Sequence, residues 1–336
     1  MSFYLILLEE KTMNQFSRYI PKVIGTAALL LASAYSYAVD CPGGSNFYHQ
    51  SIGTVTPITT TITVAVASNF KDPAIDLADD YVAGTSYQVN LCHGSSGTIS
   101  SSITGGNPYN IALFLAADQS FATDVVEAEK NLGSEFRYAN GVPVFLLSPN
   151  AYNSNVAADY FLTGQGGYAT AEGLTPYVVL KHYSGTPTAS TIAIANPTNA
   201  PYGVAASVIL GDMSPDLWNS GGYAYNAGTA VTTACSSLIS GSQWQCEYNN
   251  VDLTLQSIDN NSVTGGFVGW SQVCDSGTYP SARYVKFPDY SLAQYGVRID
   301  IASGAQETVA ADLVSYMDVG SGAWDTFLTD HCYETF

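Results

Sequence analysis

Residues 61–67 read TITVAVA, and the chain then passes through Ser68-Asn69-Phe70-Lys71-Asp72-Pro73 into a helical pattern carrying Ile75, Ala78 and Tyr81. The β-branched, alternating run favours a strand, Asp72 is placed to cap the helix, and Pro73 suits a first helical turn. This succession recurs. Residues 87–91 read as a strand, followed by the loop LCHGSSGTI and a short helix with Ile99 and Ile103 four apart. Leu113–Ala117 is a short apolar strand, with helix continuing over 125–129. Downstream, 143–147, 191–195 and 267–270 read as strands, and 203–210 and 251–258 as helices. Strands alternating with helices restrict the chain to the α/β class, with mixed, mostly parallel sheets flanked by helices.

The chain has 336 residues, 46% hydrophobic and 11% charged. That excludes wholesale disorder and supports one large or two medium domains. Residues 1–38 fit a secretory signal peptide. A basic region runs from Met13 to Lys22, an apolar stretch follows to about Ala34, and Ser36-Tyr37-Ala38 offers small residues at the cleavage positions. The apolar run is shorter than the ~20 residues of a membrane span. Residues 1–12, with Glu9 and Glu10, fit no such basic region, which makes Met13 the expected start.

All six cysteines lie beyond that segment, so an exported chain holds up to three disulfides with fifteen possible connectivities. Only Cys235 with Cys246, bracketing a short loop, suggests itself. Their spacings match no zinc or thioredoxin-type motif. The formal charge is −18 at pH 7, and one unit more negative without residues 1–38. Such a charge, with no basic patch, argues against nucleic acid as a partner.

Several strand-to-helix turns carry hydroxyl, amide or glycine residues: Ser68-Asn69, Ser95-Ser96, Pro201-Tyr202-Gly203 and Asn250-Val251. Helix N-termini leave N–H groups unpaired and favour anions without lysine or arginine. In open α/β sheets, ligands sit beyond the carboxyl ends of the strands. Each turn taken singly also reads as an ordinary cap. A hydrolase reading of LCHGSSGTI is weaker. The run Gly94-Ser95-Ser96-Gly97 is one residue short of a nucleophile elbow, and His93 has no identifiable orienting acid.

The chain carries TVAVASN at 63–69, GSSGTI at 94–99, LFLAADQ at 113–119, ANPTNAPYG at 195–203, Asn250-Val251 with Thr254-Leu255-Gln256, and GFVGWSQ at 266–272. On these stretches it resembles the periplasmic molybdate-binding protein family. These run in family order from about residue 60 to the C-terminus. The resemblance implies a type II-like periplasmic binding protein with two α/β lobes and two interlobe crossovers. Lobe I would be 41–137 plus 296–336, and lobe II 138–295. It also implies a tetrahedral oxyanion, molybdate or tungstate, held by Ser68, Asn69 and Ser96 from lobe I. Tyr202 and Val251 would hold it from lobe II, chiefly through backbone N–H groups. An ABC-type permease partner, a monomeric state, a periplasmic location and the absence of a cofactor or covalent chemistry follow from the same resemblance.

Molybdate and tungstate are dianions near neutral pH, and none of these five residues is acidic. Hydrogenphosphate would profit from an acidic acceptor for its proton. Gly269 departs from the family, many members of which have a ligand-reaching tyrosine there, whereas Asn69 matches a variant branch. The tyrosine- and glycine-rich stretches at about 150–190 and 215–245 suggest an alternative: an extracellular structural protein on the same fold. A different small ligand in the same cleft is a further alternative.

Overall fold

The computed structural model describes residues 41–42, 48–153, 192–213, 245–274, 278–280 and 283–336. The expected signal segment 1–38, most of the two tyrosine-rich stretches, and Cys235 of the expected Cys235–Cys246 pair lie outside these residues. In chain order the strands are β1 His49–Ile52, β2 Thr60–Ala67, β3 Tyr87–Gly94, β4 Ile111–Ala116, β5 Phe136–Gly141, β6 Pro143–Leu147, β7 Ile192–Ala195, β8 Gln245–Tyr248, β9 Gly265–Gly269, β10 Tyr284–Lys286 and β11 Leu292–Arg298. The helices are α1 Lys71–Val82, α2 Ser96–Thr104, α3 Gln119–Glu127, α4 Pro149–Asn153, α5 Pro201–Met213, α6 Val251–Asp259, α7 Gly304–Met317 and α8 Gly322–Asp330.

Two sheets result, one for each lobe of a periplasmic-binding-protein fold. The first has order β1-β3-β2-β4-β11-β5 and the second β10-β6-β9-β7-β8. The pairs around β2 and around β7 are parallel, as the strand–helix alternation requires. Antiparallel pairs flank them, because β11 returns against β4 and β5, and β6 runs against β9 and β10. The sheets are therefore more evenly mixed than the alternation alone implies. Among the described residues the chain passes between sheets twice, at Val142 and over 287–291. The first sheet thus keeps β5 through Gly141 and regains the chain at Leu292, a few residues inside the stretch assigned to lobe II from sequence.

Strands β2, β4, β6, β7 and β9 are covered on both faces, so they read as nearly continuous apolar runs rather than half-polar ones. The period-two alternation sorts them. Ile62, Val64 and Val66 of β2 face a core completed by α1, α7 and α8, while Ala65 faces α2 and α3. In the second sheet, Val144 and Leu146 of β6 point to one core, and Phe145 and Leu147 to the other. The first of these cores also takes in Ala67 and Ala117 from the first sheet, so the two lobes share apolar contact.

Among the described residues two disulfides join separate segments of the chain. Cys41 pairs with Cys92 of β3, both fully buried, and Cys274 pairs with Cys332. The second joins the segment after β9 of the second sheet to the segment after α8, which packs on the first. Asp72 does not cap α1. A 3-10 turn, Ser68–Phe70, runs directly into the helix, leaving Asp72 in its first turn. There its charge favours the helix dipole without a capping bond.

Candidate functional site

The ends of β2, β3, β4, β7 and β8 meet between the sheets. A pocket of about 200 Å³, including its open mouth, is lined by Ala67, Ser68, Asn69, Ser95, Ser96, Ala117, Ala200, Pro201, Tyr202, Asn250 and Val251. All five residues singled out from sequence (Ser68, Asn69, Ser96, Tyr202 and Val251) lie in this lining. No lining residue is charged. Among the described residues no group of three or more His, Cys, Asp or Glu side chains is placed to hold a metal ion.

Each turn is shaped by local chemistry. Ser95 is the N-cap of α2, its hydroxyl accepting the Thr98 N–H at 3.4 Å and pairing with the Thr98 hydroxyl at 2.7 Å. That leaves Ser96 free of capping. Its Oγ instead accepts the Ala117 N–H at 3.0 Å, so its own proton points elsewhere. Across the cleft, Asn250 caps α6 by accepting the Leu253 N–H at 2.9 Å. Asn196 Oδ1 accepts the Thr198 N–H at 2.9 Å and shapes the approach to α5. First-turn amides have no partner within their own helix. Among the described residues no carbonyl or side chain accepts from the N–H groups of Ser96, Tyr202 or Val251. The amides after Ser96 are engaged: Thr98 with Ser95, and Gly97 with the Asn199 carbonyl across the cleft at 2.8 Å. Gly97 is required there, since a Cβ would lie 2.8 Å from the Asn199 Cα.

Behind the pocket lies a buried polar network. Asn69 Nδ2 donates to Gln294 Oε1 at 3.2 Å and to the Tyr333 hydroxyl at 2.9 Å, while its Oδ1 is buried without a partner. The Tyr333 hydroxyl donates to the Asn69 carbonyl at 2.8 Å, and Ser271 Oγ donates to the same oxygen at 3.0 Å. Gln294, fully buried on β11, accepts from Tyr138 at 2.9 Å and donates to the Tyr202 hydroxyl at 3.4 Å. Burial raises the pKa of Tyr138, Tyr202 and Tyr333 well above the usual phenol range, so all three keep their protons. Where Gly269 stands, a Cβ would come within 3.3 Å of the Tyr202 hydroxyl and 3.4 Å of the Asn69 Cβ. The phenol of Tyr202 occupies the space beside that glycine.

Among the described residues the rim carries one ion pair between the lobes, Lys71 Nζ on α1 to Asp252 on α6 at 3.0 Å. His93 does not reach the serines that follow it. Its Nδ1 lies 3.2 Å from Ser68 Oγ, and its ring meets the edge of Tyr48 at 4.8 Å. Burial lowers its pKa, against the raising effect of Asp252 and Asp72 and with that of Lys71. Sequence reasoning missed His93, Asn199, Ala117 and Gln294 as parts of the site. His93, Ala117 and Asn199 stand within LCHGSSGTI, LFLAADQ and ANPTNAPYG, which the sequence singles out without giving these three a role; Gln294 carries no such signal.

The bacterial extracellular solute-binding protein model matches residues 62–323. Molybdate-binding protein ModA of Azotobacter vinelandii is 31% identical over 154 residues, 45% of this chain and 50% of that protein. Its namesake in Rhodobacter capsulatus is 29% identical over 150 residues, 44% and 49% respectively. The chain thus spans about half the length of the curated relatives it matches. The solved periplasmic molybdate-binding protein of Azotobacter vinelandii superposes with a TM-score of 0.56 at 21% identity, covering 81% of this chain and 98% of that one. With that model matching most of its length, the chain belongs to the bacterial extracellular solute-binding protein family.

Proposed function

We propose that this protein binds a tetrahedral oxyanion, molybdate or tungstate, outside the cytoplasm and delivers it to an ABC-type permease, without covalent chemistry. One observation carries the reading: first turns from both lobes converge, with unpaired amides and serine hydroxyls, on a pocket lined by no carboxylate. A dianion that carries no proton needs donors and no acceptor, and helix N-termini supply them without a countercharge. The names of the two curated relatives support the same ligand.

Ser68 and Ser96 donate hydroxyls from lobe I, and Ser96, Tyr202 and Val251 donate backbone N–H groups. Asn69 lines the pocket, and its amide contributes to the anion by exchanging one of its bonds to Gln294 or Tyr333. Lobe I comprises 41–137 with 296–336 and lobe II 138–295, the strands of the first sheet extending a few residues past both joins. The protein acts as a monomer in the periplasm after loss of residues 1–38. Capture is closure of the lobes on the anion, which selects the closed state by its extra contacts there. Long-range repulsion by the net negative chain decays over about 10 Å at 0.1 M salt, so it slows encounter more than it weakens the closed complex.

Isothermal titration of the mature protein with molybdate, tungstate, sulfate and phosphate tests this. The first two should bind at least about tenfold more tightly than the others, a difference of ~1.4 kcal/mol. Absence of any oxyanion binding overturns the reading, and a structural role on the same fold would then take its place.

A further inference from the structure

We infer that His93 is a positioning residue for the anion: it sets the direction of the Ser68 hydroxyl, and the bound dianion selects the doubly protonated ring, whose Nδ1 donates to Ser68. This rests on the oxyanion reading above.

The geometry of the two serines motivates it. Ser96 Oγ is held by the Ala117 N–H at 3.0 Å. A backbone amide can only donate, so the Ser96 proton is always free for the pocket. Ser68 Oγ is held by His93 Nδ1 at 3.2 Å, and a ring nitrogen can do either. With the proton on Nε2, Nδ1 accepts the Ser68 proton, and the serine turns lone pairs toward the pocket, which a dianion disfavours. With a proton on Nδ1, the ring donates to Ser68 Oγ, and the Ser68 hydroxyl is released to donate to the anion. The imidazolium does the same and adds a positive charge behind a pocket whose lining has none.

The groups facing the ring from its neighbours fit a closure-linked change. Tyr48 meets it edge-on, Lys71 and Asp72 lie on α1, and Asp252 comes from α6 of the other lobe. Lys71 and Asp72 share a lobe with His93, whereas Asp252 arrives with lobe II, paired to Lys71 at 3.0 Å. Closure therefore brings up a carboxylate that favours the protonated ring, and the dianion acts in the same direction. In the ligand-free structure, with Asp252 already beside it, burial still lowers the pKa of the ring, so it is the dianion that must supply the remaining pull toward the protonated form. The complex then holds a proton more tightly than the empty protein, so anion affinity rises as pH falls toward the ordinary histidine range of about 6.5.

The experiment is molybdate titration between about pH 8 and pH 6, in buffers of different ionisation enthalpy, with side-chain nitrogen NMR of the histidines. In the wild type, affinity should rise about tenfold across that range, protons should be taken up on binding, and the His93 Nδ1 signal should move to a protonated position. His93→Asn places an amide nitrogen near the Nδ1 position, which donates without titrating. It should keep the low-pH affinity and lose both the slope and the proton uptake. A wild type that binds molybdate with no pH slope, or a slope that survives in His93→Asn, overturns the assignment while leaving the oxyanion reading intact. Failure of the wild type to bind any oxyanion removes that reading and this one together.

Discussion

The first-sheet bank of the cleft presents Ser68, Asn69, Ser95 and Ser96, whereas the second-sheet bank presents Ala200, Pro201, Tyr202, Asn250 and Val251. On the first bank, side-chain hydroxyls at the strand ends are held in place by Thr98, Ala117 and His93. On the second, Ala200, Pro201 and Val251 have no side-chain donors, the Asn250 side chain is engaged as a cap, and the Tyr202 hydroxyl is turned back toward Gln294. What remains for a ligand there is chiefly backbone N–H, beside the side-chain amide nitrogen of Asn250. One bank is thus built from side chains that substitution can remove, and the other from main chain that substitution can only displace. The two are tied by covalent and polar links, the Cys274–Cys332 disulfide, the Gly97–Asn199 bond and the Lys71–Asp252 pair.

The largest effect should come from blocking the approach of the banks. Gly97→Val puts side-chain atoms where the Asn199 Cα already lies 2.8 Å from a bare Cβ. Overpacking of this kind costs ~3 kcal/mol, so molybdate affinity should fall by roughly 100-fold in calorimetric titration. A Cβ there also meets Phe121 of α3 at 3.0 Å within the first lobe, so the thermal transition of the empty protein should fall too, by less than the loss in affinity. If affinity is retained, the described contact is not part of the bound state.

A smaller and two-sided effect is expected of Ser96→Ala. It removes a hydroxyl donor to a charged ligand, worth ~1.5–3 kcal/mol, and so should weaken molybdate binding by about 10- to 100-fold. It also leaves the buried Ala117 N–H without its acceptor, so denaturant titration of the empty protein should show a loss of about 1–3 kcal/mol. Unchanged stability would mean that the Ala117 bond contributes nothing net. No single side-chain truncation on the second bank should combine both losses in this way.

The smallest effect should be that of Asp252→Asn. The Lys71–Asp252 pair is partly solvent-exposed, and pairs of this kind contribute only ~0–1 kcal/mol, screened by salt. Affinity should change less than about fivefold near pH 7.5, and less again when ionic strength is raised. A larger, salt-insensitive loss would show that the pair is a principal clamp on closure.

Much of the fold was legible because burial on both faces forces apolar strands, and because helices begin where hydroxyl and amide residues follow them. The runs TITVAVA and PVFLL lie within β2 and β6. Strands β5 and β11, reading FRYANG and LAQYGVR, carry polar residues whose partners come from far along the chain. Gln294 is one of them, fully buried yet satisfied by Asn69, Tyr138 and Tyr202. Helix α7 did offer a signal in Val309, Ala310, Leu313 and Met317, spaced along one buried face.

By itself the sequence determined the class of the fold and the strand-to-helix turns that line the pocket, because periodicity and turn chemistry act over a few neighbouring residues; the five site residues within those turns came from the family resemblance. Tertiary structure alone decided which amides stay unpaired, since Gly97 is engaged by a residue of the other lobe. It also decided that Cys92 pairs with Cys41 and Cys274 with Cys332, a choice of distance that spacing cannot make. His93 shows the same limit. Three residues from Ser96 in the chain, it reaches back to Ser68 on the neighbouring strand's turn, because parallel pairing sets Val66 opposite His93.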